Sequence, residues 1–117
     1  MLRAIIEKDK YGRNQTHYTL TQGDSCTIYA KPYKDGALLP VENVEKCIFK
    51  LSDGDYKQEF SKELVLEGDK FVLRLVSEET SLFVVDSHIY EIEYTLTGGE
   101  VQTPNQWKFD IVDQITL

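Results

Sequence analysis

The sequence predicts an all-β fold: one immunoglobulin-like antiparallel β-sandwich of about seven to eight strands spanning residues 1–117. Three observations carry this expectation. Apolar and polar residues alternate with a period of two from end to end. Turn formers punctuate the alternation at short intervals. The length, 117 residues, suits a single domain that can bury roughly two-thirds of its unfolded surface without a metal or disulfide.

The elements follow in order. Residues 2–8 and 16–21 read as two strands flanking a loop at 9–14. Cys26, Ile28 and Ala30 alternate with Thr27, Tyr29 and Lys31, and Asp35-Gly36 with Pro40 marks the loop that follows. Cys47, Phe49 and Leu51 face one way and Ile48 and Lys50 the other, with a turn at Asp53-Gly54. Gly68-Asp69 is a two-residue hairpin signal. Its register sets Glu67 opposite Lys70, Leu66 opposite Phe71, Val65 opposite Val72 and Leu64 opposite Leu73. Residues 77–82 break the rhythm: Ser77 as a cap, followed by Glu78 and Glu79, predicts a short helical turn. Tyr90, Ile92, Tyr94 and Leu96 then alternate with Glu91, Glu93 and Thr95. Gly98-Gly99 closes a hairpin that sets Leu96 opposite Val101, and Trp107, Phe109 and Ile111 form a last strand.

Strands with one apolar face must press those faces together as two sheets. The immunoglobulin-like choice rests on residues 86–92, where Tyr90 with Asp86 four positions earlier resembles a tyrosine corner. Ile92 stands where an antibody-type domain carries its second cysteine, so no inter-sheet disulfide is expected. Cys26 and Cys47 read as small core hydrophobes.

Twenty acidic against thirteen basic residues give a net charge of -7, which repels phosphate backbones. Nucleic acid is therefore an unsuitable partner. No stretch approaches a membrane span, and the apolar start is too short for a signal peptide. His17 and His88 are isolated, and two cysteines alone cannot complete a zinc site. No phosphate-binding glycine loop and no nucleophile elbow is present. Glu78, Glu79 and Asp86 read as a solvated loop, and Asp53, Gly54 and Asp55 as turn formers. The expectation is a protein with no catalytic residue, metal or cofactor.

One surface feature stands out. Tyr29, Val65, Val72 and Val76 point outward on one sheet, while the other sheet shows Lys50, Glu91, Glu93, Lys108 and Asp110. The four apolar residues are the candidate protein interface.

Further residues carry a resemblance. Residues 20–24, Leu-Thr-Gln-Gly-Asp, lead into Cys26-Thr27-Ile28-Tyr29-Ala30, and an Asp-Gly turn and a strand ending Phe49-Lys50-Leu51-Ser52 follow. Later come Glu79-Thr80-Ser81-Leu82, Tyr90-Glu91-Ile92-Glu93-Tyr94, the Gly98-Gly99 hairpin and an aromatic last strand. From about residue 19 to 112 this is similar to the small immunoglobulin-like domains of tailed-bacteriophage virions and prophage regions. The N-terminal domain of siphophage baseplate upper proteins is one such domain. The resemblance implies a non-enzymatic virion structural protein of the tail, baseplate or head–tail region. It would be made in the bacterial host cytoplasm and would contact other virion proteins or itself. The alternative is a module that binds a bacterial surface carbohydrate or protein, for which Tyr11, Tyr33 and Tyr56 would supply a ring cluster.

Overall fold

The computed structural model describes residues 2–6, 18–34, 37–38, 40–55, 57–102 and 107–113. They form two sheets packed face to face. The first has the order β1 (Leu2–Ile6), β3 (Cys26–Lys34), β8 (Lys70–Leu75), β7 (Val65–Glu67), with the short β4 (Ala37–Leu38) also paired to β3. The second runs β2 (Tyr18–Thr21), β11 (Trp107–Val112), β9 (Asp86–Leu96), β5 (Val44–Ser52), β6 (Gln58–Glu63), with β10 (Val101–Gln102) paired to β9. Only β2 and β11 run parallel; the other pairs are antiparallel. The all-β sandwich is thus the fold, and strands 26–31 and 70–75 share one sheet while 47–51, 90–96 and 107–111 share the other.

The period-two pattern lands as physics requires, with Cys47, Phe49 and Leu51 and then Tyr90, Ile92, Tyr94 and Leu96 buried between the sheets. Every strand along the second sheet contributes one ring to an aromatic row. Tyr18 stacks on Phe109 (centroids 5.9 Å apart), Phe109 meets Tyr90 edge-on (5.8 Å), and Tyr90 stacks on Phe49 (5.7 Å). Phe49 reaches Phe60 at 6.4 Å, and Phe60 meets Phe83 at 5.1 Å. These offset and edge-on contacts lie in the favourable range for ring quadrupoles.

The hairpins sharpen the expected registers. Val65, Leu66 and Glu67 pair with Val72, Phe71 and Lys70, and Gly68 takes the left-handed φ of 68° that the tight turn needs. Leu64 does not pair with Leu73. Its N–H donates to the Cys47 carbonyl at 2.8 Å, so Leu64 is the point where the chain crosses from β6 in one sheet to β7 in the other. The second hairpin is shifted by one residue, with Val101 opposite Thr95 rather than Leu96. Leu96 N–H donates to the Glu100 carbonyl and Gly99 N–H to that of Leu96, leaving Thr97, Gly98 and Gly99 as the loop. Both glycines have positive φ, the left-handed region that glycine enters without a Cβ penalty.

The helical turn α1 (Ser77–Thr80) forms where expected, but Val76 rather than Ser77 occupies the cap position. Glu79 Oε1 accepts the Val76 N–H (2.9 Å) and the Lys62 ammonium (2.8 Å), while Lys62 also donates to the Arg74 carbonyl (2.7 Å). Valine has no oxygen to return, so only the glutamate half of a capping box exists. Burial opposes ionisation of Glu79, yet Lys62 and the Val76 N–H outweigh it and hold the carboxyl below its ordinary value. A depressed carboxyl stabilises the fold above its unfolded-state value, about 4.3, and loses that contribution as pH falls through the lower folded-state value. Glu79→Gln is therefore expected to cost about 1 kcal/mol near neutral pH and much less in strong acid. Urea denaturation of both proteins at pH 7 and below pH 3 checks this; a pH-independent difference would contradict it.

Candidate functional site

The expected interface on the first sheet is covered in part. Tyr29, Val65 and Val72 do lie on its outer face, because Val72 pairs with Tyr29 on one side and Val65 on the other. Val65 is exposed and Tyr29 half-buried, and Val76, just beyond β8, is exposed. Val72, however, is only 1% exposed although it lies outside the inter-sheet core. Val72 therefore presents almost no surface for a partner to cover, unlike the expectation. Arg74, two residues after Val72, forms a bidentate ion pair with Glu67, two residues beyond Val65. By register this pair spans the Val65–Val72 rung diagonally. Lys70 sits 4.0 Å above the Tyr29 ring and Lys31 lies 3.4 Å from Asp69. Arg74, Lys70 and Lys31 therefore turn an apolar stripe into a polar lattice.

Tyr90 is a central core ring, fully buried between Tyr18, Phe49 and Phe109. Asp86, the other half of the expected tyrosine corner, begins β9 and accepts the N–H of its neighbour Ser87 at 2.8 Å. Of the carbohydrate-ring candidates, Tyr11 and Tyr56 lie outside the described residues, and Tyr33 is on β3 opposite Arg3 and Leu38.

The surface that does stand open is the loop between α1 and β9. Leu82 is 83% exposed, Val84 60% and Val85 44%. Phe83 between them is buried against Phe60. Continuing the β9–β11 register past Ile111 and Asp86 sets Val85 beside Val112, itself 39% exposed. This loop is clamped at successive residues. Phe83 N–H donates to the Thr80 carbonyl, and the Phe83 carbonyl accepts from the Gln22 amide at 2.8 Å. The Val84 carbonyl accepts from His88 Nε2 at 2.7 Å, while His88 Nδ1 faces Glu59 Oε1 at 2.8 Å. Thr80, fully buried, donates from its hydroxyl to the Asp24 carbonyl at 2.8 Å. A loop fixed by its backbone and one buried ring holds its remaining apolar side chains out in water. Sequence reasoning missed this patch, since four consecutive apolar residues in a connection give no periodicity that separates the buried one from the exposed three.

Among the described residues, the chemistry-bearing side chains singled out from the sequence are spread over separate elements. Burial pushes the Cys47 thiol far above its ordinary value, with the Tyr94 hydroxyl acting against that shift and Glu63 adding to it. Burial likewise raises the thiol of Cys26, on the other sheet. Both are free. Such thiols are poor nucleophiles. Glu79 is committed to Lys62 and Val76, and Asp86 to Ser87. Asp53 accepts the N–H groups of Asp55 (2.8 Å) and Lys57 (3.0 Å), which pull its carboxyl below the ordinary range and close a turn. Among the described residues, no three His, Cys, Asp or Glu side chains group closely enough to hold a metal. Among the same residues, no helix is long and apolar enough to cross a membrane.

No protein-family model matches the sequence, and no curated protein matches it. The fold does have solved neighbours. CopC from Methylosinus trichosporium OB3b superposes with a TM-score of 0.56 over 98% of this chain and 99% of its own, at 10% identity. The fibronectin(III)-like modules of Clostridium thermocellum CbhA give a TM-score of 0.52 over 97% and 98%, at 11% identity. At such identities the likeness is one of fold alone. It places this chain among immunoglobulin- and fibronectin-like sandwiches.

Proposed function

We propose that the chain is a non-enzymatic sandwich module that works by protein–protein contact, with the 82–85 loop as its docking surface. In the fuller form of this reading it is a structural component of a phage or prophage virion, in the tail, baseplate or head–tail region. The virion assignment rests on the sequence resemblance. The contact mode is carried by one observation: Leu82, Val84 and Val85 are held in water by a loop whose backbone is tied at Phe83 and Val84. Large side chains fixed before association lose little further entropy when a partner covers them. Exposed apolar residues gathered at one end of a domain are a usual mark of an interface.

The test is co-expression with the products of adjacent genes, followed by size-exclusion chromatography and sedimentation. The wild-type chain is expected to co-elute with a virion component or with itself. Leu82→Asp combined with Val84→Asp is expected to elute as a free monomer, with stability within about 0.5 kcal/mol of wild type because both sites are exposed. A wild-type chain that stays monomeric with every neighbour, or a double variant that assembles unchanged, would overturn this reading.

A further inference from the structure

A second opening lies at the sandwich edge where β6 crosses to β7. It is a cavity of about 350 Å³ between the first residues of β5 and the start of β7, with Val44, Cys47, Leu64 and Phe71 among its lining. That volume falls at the small end of binding clefts, room for one or two apolar side chains. Leu66 stands at its mouth, 46% exposed.

The backbone around this cavity is open. Among the described residues β7 is the last strand of its sheet, with no strand paired to its outer edge. In a two-residue hairpin the residues flanking the turn exchange hydrogen bonds, as do those two positions further out. Glu67 and Val65 therefore spend their backbone groups on Lys70 and Val72, and Leu66 directs its N–H and C=O away from β8. β6 pairs with β5 from Ile48 onward, so among the described residues no strand pairs with Val44, Glu45 and Lys46 on that side. The charge at the opening is specific. Glu45 and Glu63 line it, both exposed and neither in an ion pair among the described residues. Lys46 lies between them in the chain and offsets one of the two charges.

From these features we infer that the β7 edge accepts an extended segment of a partner protein as an added strand. The segment seats an apolar side chain in the cavity and sets basic residues against Glu45 and Glu63. Main-chain hydrogen bonds to Leu66 supply part of the affinity, and the cavity with its two carboxylates supplies the selection. A second copy of this chain is the poorer occupant, because each copy carries a net charge of -7. The surface is separate from the 82–85 loop and stands or falls independently of it.

Two short peptides make the test, one alternating Lys with Val and its counterpart alternating Glu with Val, titrated into the isolated chain. Binding is followed by NMR, and amide exchange is measured at Leu66. The Lys–Val peptide is expected to bind and to slow Leu66 exchange by roughly tenfold or more, while the Glu–Val peptide leaves it unchanged. Leu66→Pro removes the outward N–H at an edge position where proline is tolerated, and is expected to weaken binding roughly tenfold or more. Should that variant fail to fold, the exposed pair Glu45→Lys and Glu63→Lys carries the same expectation. Failure of the Lys–Val peptide to bind, equal binding of both peptides, or unchanged affinity in the folded variants would overturn the inference. So would Leu66 protection that rises with protein concentration in the absence of peptide, which would mark edge pairing between copies instead.

Discussion

Phe49→Ala is expected to remove about 3–5 kcal/mol of stability. Phe49 is fully buried, and its ring sits within 6.4 Å, centroid to centroid, of Tyr90, Phe109 and Phe60. It stacks on Tyr90 within the aromatic row that crosses the second sheet. Truncation removes the transfer energy of the ring and leaves a void that the flanking strands β9 and β6 cannot close without shifting their registers. Truncation to alanine at exposed Val65 should stay within about 0.5 kcal/mol. Urea denaturation of both variants checks the contrast. A Phe49→Ala loss near that of Val65→Ala would mean the row is not the centre of the core.

His88→Leu is expected to cost about 2–3 kcal/mol and to loosen the 82–85 loop before the rest of the fold. His88 is 3% exposed, and its ring donates from Nε2 to the Val84 carbonyl. Leucine fills similar space but donates nothing, so a part-buried carbonyl loses its partner. Glu59, which faces Nδ1 and is 27% exposed at its side chain, can turn to water and loses less. The loss should therefore concentrate at the loop. Hydrogen exchange by mass spectrometry would show faster exchange for peptides covering 82–85, with β5 and β9 retaining their protection. Uniform acceleration across the molecule would show that His88 supports the whole fold rather than this clamp. The prediction bears on function, because a loosened loop no longer presents Leu82 and Val84 in a fixed arrangement.

Patterning alone specified the class of fold, most strands and the inward face of each. Period-two burial is a property of the pleated backbone, and Cys47-Ile48-Phe49-Lys50-Leu51 shows it without reference to any neighbour. The Gly68-Asp69 turn was legible for the same reason, since its backbone demands are local. Other features were settled by distant contacts. Whether Val72 faces water depended on what the neighbouring strands bring over its rung, which no window of alternation encodes. The crossover at Leu64 depended on the Cys47 carbonyl, seventeen positions earlier in the chain. The exposure of Leu82, Val84 and Val85 depended on Phe60, Gln22 and His88 drawing Phe83 and the loop backbone inward. Strand faces follow from backbone geometry, and so are written locally. Which apolar side chains remain in water follows from what the rest of the chain brings against them, and only the assembled sandwich decides that.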